Sequence, residues 1–188
     1  MQSGSWIFRV EPHSDESFGH FMGRFRRANE LSHRAIAEQL GIRIQWVQSW
    51  DSPSRRRNPT PLQMIALSKL TDVAPEQLAK MLPSEPLHLQ TRLCSVCYAE
   101  VPVHRSTWQR ANVELCDQHS VQFLSACPEC HTGLRTPALW EDDCCEKCGL
   151  PFAQMLGQPK PKQERSEASL LQAVAPKRDR KQLSKRQQ

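Results

Sequence analysis

The sequence predicts two architectures in tandem: a mainly α N-terminal domain built around a helix-turn-helix, then a small α+β region that folds around bound metal. Three observations predict this. Residues 14–82 carry apolar stripes at helical spacing, cut by Asn, Gly and Pro. Within them, Ala37-x3-Gly41-x5-Val47-x2-Trp50 has the spacing of a helix-turn-helix. Beyond them, four ligand pairs lie between Cys94 and Cys148. A hydrophobic share of 38% with 6% aromatic supports small cores and is poor for one large core.

The elements follow in order. Trp6, Phe8 and Val10 alternate, as on one face of an extended segment. A first helix is expected from Ser14, with Asp15 and Glu16 complementing its N-terminal end and Phe18, Phe21, Met22 and Phe25 forming one stripe. Ser32 caps a second helix that Gly41 stops; a third carries Ile44 and Val47 inward before Asp51-Ser52-Pro53 breaks it. Small Ala37 lets the two helices approach, and Gly41 permits a left-handed turn. Arg43, Gln45, Gln48 and Ser49 would then lie on the exposed second helix of the unit. Thr60-Pro61-x-Gln63 has the form of a capping box, with Leu62, Ile65, Ala66 and Leu70 expected inward. A last helix runs from Pro75 to Leu82. The expected division is a helical helix-turn-helix domain over 1–82, a linker over 83–91, a tandem metal-binding region over 92–156 and a disordered basic tail over 157–188.

The ligand pairs are Cys94-x2-Cys97, Cys116-x2-His119, Cys127-x2-Cys130 and Cys145-x2-Cys148. Two pairs complete one tetrahedral site, so four pairs make two zinc-ribbon-like or finger-like sites and imply two Zn2+ ions. Sequential pairing gives one site of three cysteines and a histidine and another of four cysteines; an interleaved cross-brace is the rival. Cys144 neighbours Cys145 and could replace it, although 145–148 keeps the two-residue spacing. His104 and His131 are weaker ligand candidates, and Trp108 and Trp140 are expected to pack beside the sites. The start of the chain lacks a basic stretch followed by an apolar run, and no segment matches a membrane helix, so a cytoplasmic chain with metal instead of disulfides is expected.

A closed four-ligand site has no position for a reacting water, and no other catalytic pattern is present: no His-Glu-x2-His, no deaminase signature, no phosphate loop. The expectation is a protein that is not an enzyme. The acidic run Glu141-Asp142-Asp143 is expected to be a solvated turn. The formal net charge of +5 is concentrated after Gly157, which argues against a globally basic nucleic-acid binder but allows local patches. Arg24, Arg26 and Arg27 form one candidate phosphate-binding group; Arg55, Arg56 and Arg57 form the favoured one, because a loop conforms to a backbone easily.

Several unusual stretches go further. They are Glu11-Pro-x3-Glu16-Ser17, Phe21-x-Gly23-Arg24-Phe25-Arg26-Arg27-Ala28-Asn29-x-Leu31-Ser32 and Met81-Leu82-Pro83. With them go Arg92-Leu93-Cys94-x2-Cys97-Tyr98-Ala99-Glu100, His104-Arg105-x2-Trp108-Gln109 and Pro137-Ala138-Leu139-Trp140-Glu141-Asp142-x-Cys144-Cys145-x2-Cys148. Across most of residues 6–155 the chain resembles the TniQ family of transposon target-selection proteins, and most closely the short TniQ of type V-K CRISPR-associated transposons. The resemblance implies an N-terminal helix-turn-helix domain followed by two zinc modules. It also implies a non-catalytic adaptor that links an RNA-guided CRISPR effector, with its guide RNA, to the filament of the AAA+ ATPase TnsC on DNA. The transposase is recruited in turn, and the protein would be nucleoid-associated in the complex. Within that reading Arg55, Arg56 and Arg57 are expected to face RNA, and Trp6 and Phe8, on a segment with little core to bury in, to face TnsC. The alternative is a sequence-specific DNA-binding regulator using the helix-turn-helix, which would require a defined operator and, as a rule, a dimer.

Overall fold

The computed structural model describes residues 8–54, 56–83 and 86–155. Trp6, Arg55 and the basic tail lie outside these residues. The fold is mainly helical: α1 (Phe18–Ala28), α2 (His33–Leu40), α3 (Ile44–Ser49), α4 (Pro61–Thr71), α5 (Pro75–Lys80) and α6 (Ser95–Glu100), with short 3-10 turns at Ser106–Gln109, Pro137–Leu139 and Phe152–Gln154. Strand character among the described residues is limited to isolated antiparallel bridges, so the α+β expectation for the C-terminal part overstated its sheet. Its tight metal-ligand turns leave no run long enough for a strand.

Two apolar clusters organise the chain. The first gathers Phe18, Phe21, Met22 and Phe25 of α1 with Ile36, Ala37, Val47, Trp50, Met64, Leu67 and Leu78. The expected stripe on α1 is therefore the buried one. α2 and α3 pack together across Gly41, whose φ of 65° is the left-handed value that favours glycine there. Ser32 Oγ accepts from Ala35 N, and Thr60 and Gln63 exchange both bonds of a capping box, with Pro61 in the first turn. The inward face of α4 differs from expectation: Met64, Leu67 and Thr71 are buried, whereas Leu62 is 78% and Ile65 48% exposed. α4 is apolar on more than one side, so two stripes satisfy helical spacing and packing against α2 and α5 selects between them.

The second cluster joins Leu93, Cys94, Cys97, Tyr98, Trp108, Cys116, Cys127, Trp140, Cys145 and Phe152. α1 connects the two. It starts at Phe18, later than Ser14, because the residues before it are committed elsewhere. Ser17 N donates to His104 O at 2.7 Å, Ser17 Oγ bonds His104 Nδ1 at 2.8 Å, and Glu16 bridges to Arg105. The Glu16 carboxylate is fully buried and accepts from Arg24 Nε and Nη2 at 2.9 and 2.7 Å, from His20 Nδ1 at 2.6 Å and from His13 N at 3.0 Å. These bonds outweigh burial and hold its pKa down at about 2.

Further along α1, Gly23 lies against the 137–139 turn so closely that a Cβ would sit 2.4 Å from Ala138 O. One turn later Arg27 donates to Ala138 O at 2.7 Å and Trp140 O at 3.3 Å. Residues 86–92, expected largely as linker, run beside 109–111: His88 N donates to Gln109 O, Ala111 N to Pro86 O, and buried Gln109 donates to His88 O and Gln90 O.

Candidate metal centres

Each ligand pair sits on a tight turn, and three of the turns repeat one construction. The residue after the second ligand takes positive φ: Ser120 at 55°, His131 at 57°, Gly149 at 73°. The amide of the first ligand donates to the carbonyl two residues past the second: Cys116 to Val121, Cys127 to Thr132, Cys145 to Leu150. The residue before the first ligand bridges to the residue three past the second: Leu115 with Gln122, Ala126 with Gly133, Cys144 with Pro151. The remaining pair opens α6, where Cys94 is the N-cap and its sulfur accepts from Cys97 N at 3.5 Å. This construction separates the two adjacent cysteines. Cys144 occupies the bridge position held by Leu115 and Ala126, and Cys145 occupies the ligand position.

The turns assemble into two clusters, Cys94–Cys97–Cys116–His119 and Cys127–Cys130–Cys145–Cys148, with the ligand atoms of each within 4.8 Å of one another. The pairing is sequential, not interleaved. Cys97 Sγ lies 3.4 Å from Cys116 Sγ; His119 Nδ1 lies 3.8, 3.2 and 3.7 Å from the sulfurs of Cys94, Cys97 and Cys116. In the second cluster Cys127–Cys148 and Cys130–Cys145 are each 3.5 Å apart. A tetrahedral ion with metal–sulfur bonds of about 2.3 Å would set its sulfurs about 3.8 Å apart, so both clusters have the size and donor set for such an ion. Burial raises the pKa of the Cys94 and Cys97 thiols, so a cation is what would compensate their thiolates. Hydrogen bonding to the Thr132 side chain and amide instead lowers Cys130, to about 6.

The outer contacts are residues that the pattern of pairs did not reveal. His119 turns Nδ1 to the cluster, and its Nε2 lies 2.9 Å from Glu100 Oε1 on α6, the arrangement that fixes the tautomer of a metal-bound histidine. The signal was present: Glu100 falls three residues after Cys97, one helical turn along the same face.

His104 is no ligand and no surface residue: it is fully buried, edge-on to Trp108 and Trp140, and burial holds its pKa down at about 3, so it is neutral. His131 is the left-handed turn residue after Cys130. Trp108 and Trp140 pack beside the clusters as expected, with Trp140 also against Tyr98 and Phe152. Arg24, Arg26 and Arg27 are engaged internally, by Glu16, Asp51 and the 138–141 segment, and are not a free phosphate-binding group. Arg56 and Arg57 are exposed, their amides capped by Ser54 Oγ. Phe8 is 58% exposed, its backbone held on both sides by the Asn29 side chain. In the acidic run, Asp143 accepts from Tyr98 Oη and Glu141 faces Arg27. No helix among the described residues is long and apolar enough to cross a membrane.

No protein-family model matches the chain, and neither does any curated protein.

Proposed function

We propose that the chain is a TniQ-type adaptor: a zinc-stabilised, non-catalytic protein that joins an RNA-guided CRISPR effector to a filament of the AAA+ ATPase TnsC and so directs transposase recruitment. The observation that carries this reading is the way the motif residues of the resemblance are used. Glu16 with its partner Arg24, Ser17, Gly23, Arg27, His104, Ala138 and Trp140 converge on the seam between the helical part and the metal region. Residues so distant in sequence are unusual together because one interface requires all of them, which supports common architecture over chance similarity. Two clusters with four protein ligands each suit structural zinc. α2, the Gly41 turn and α3 serve as the helix-turn-helix in this reading, and exposed Arg56 and Arg57 supply the RNA-facing charge.

The test is co-sedimentation of zinc-loaded protein with TnsC filaments on DNA with ATP, comparing wild type with Trp6→Ala and Phe8→Ala. Saturable, substoichiometric binding that both substitutions weaken is the expected result. Absence of binding in every nucleotide state removes the adaptor reading and turns the question to selection of a DNA operator.

A further inference from the structure

α3 presents its largest side chain to solvent. Trp46 is 42% exposed although the neighbouring Val47 and Trp50 are buried. It lines an open cavity of about 720 Å³ together with Arg43, Ile44, Gln45 and Arg57. The cavity thus joins two segments, the start of α3 and the basic loop after it. Among the described residues no carboxylate lines it, and neither Arg43 nor Arg57 forms an ion pair.

An indole face, two unpaired guanidinium groups and a carboxamide form a particular combination. The indole offers a surface for stacking and one N–H donor; the guanidinium groups match phosphate oxygens; the carboxamide both donates and accepts. The volume lies within the range of pockets that enclose a small organic group. Base edges in a duplex are read by bidentate Arg, Asn or Gln contacts, and stacked, paired bases have no free face to offer an indole. An unpaired base has both a free face and free Watson–Crick edges.

We propose that this cavity is a nucleotide-binding site for one unpaired base of a single strand. The base stacks on Trp46, Gln45 reads its edge, and Arg43 and Arg57 hold the flanking phosphates. This deepens the adaptor reading and rests on it only for the source of the strand, which is a loop of guide RNA or the displaced DNA strand at the target.

The experiment measures fluorescence anisotropy of labelled, unstructured strands of about 12 nucleotides, a length within the span of single-strand sites. RNA and DNA of one sequence, and the corresponding RNA and DNA duplexes, are titrated with zinc-loaded protein. Trp46→Ala is expected to weaken single-strand binding about tenfold, with Trp46→Phe retaining most of it, because stacking survives exchange of the ring. Arg57→Ala should weaken binding and flatten its salt dependence. Trp46 is exposed, and circular dichroism and bound zinc verify that each variant is folded. Stronger binding of the RNA strand assigns a guide-RNA source, and stronger binding of the DNA strand assigns the displaced strand. Single-strand affinity unchanged by Trp46→Ala, or a preference for duplexes, overturns the proposal. The filament assay separates the two readings: strand binding without TnsC binding leaves the pocket standing and removes the adaptor, and the reverse removes only the pocket.

Discussion

Replacing Gly23 by Ala gives a test whose sign is decided by the structure. Within a helix, Gly→Ala ordinarily stabilises by about 1 kcal/mol, because alanine loses less backbone entropy. At Gly23 the new Cβ would lie 2.4 Å from Ala138 O, 2.8 Å from its Cα and 2.9 Å from its carbonyl carbon. All three are backbone atoms, so no side chain can rotate away. Restoring ordinary contact moves α1 about 1 Å from the 137–139 turn, since van der Waals contact begins at 3.4 Å. That displacement stretches the 2.7 Å bond from Arg27 to Ala138 O beyond hydrogen-bonding range. Overpacking costs about 1–3 kcal/mol and loss of a charged hydrogen bond about 1.5–3 kcal/mol. Against the propensity gain, the net is a destabilisation of about 1.5–5 kcal/mol. The assay is urea unfolding at fixed free zinc, followed by tryptophan fluorescence. Arg27→Ala alone and the Gly23→Ala/Arg27→Ala double variant complete a cycle, in which the two losses should be less than additive because they break the same contact. A stabilised Gly23→Ala protein would refute the close packing of α1 on this turn.

The second prediction concerns the adjacent cysteines. Cys144→Ser should keep two metal ions per chain, and Cys145→Ser should retain one tightly bound and unfold the second module, as native mass spectrometry would show; equal losses would overturn the assignment of the bridge position. The third concerns Glu16. Its folded pKa of about 2 lies below the ordinary 4.5, so its contribution is fully present above pH 4.5 and is lost as pH falls toward 2. At neutral pH it is worth roughly 3 kcal/mol, and Glu16→Gln should lower stability by that amount in chemical unfolding. The gap between variant and wild type should narrow below pH 4.5. That difference isolates the carboxylate, because acid releases metal from both proteins.

Local signals carried much of this fold into the sequence. Thr60-Pro61-x-Gln63, Gly41 after α2, the stripe on α1 and the four ligand pairs each act through neighbours within a few residues, where spacing determines geometry. Long-range partnerships were not legible in that way. Arg27 resembles solvated charge until Ala138, 111 residues away in the chain, is placed against it. His104 looks like a loop residue until Ser17, Trp108 and Trp140 enclose it. Spacing favoured Cys145 as the ligand, and the cluster contains it; the bridging position of Cys144 is what spacing alone does not encode.

The seat of α1 has a bearing on the order in which the chain takes shape. Ala138 and Trp140 lie on the loop between Cys130 and Cys145, and that loop is closed only when the last cysteine pair joins the cluster. During synthesis α1 leaves the ribosome more than a hundred residues before the surface it rests on. Its apolar stripe can meet α2 and α3 early, but Gly23 and Arg27 must wait for Cys148 to complete its cluster. The final residues of the cluster region thus fasten the first helix, and a nascent chain whose second cluster had not closed would emerge with its N-terminal half assembled and its seam open.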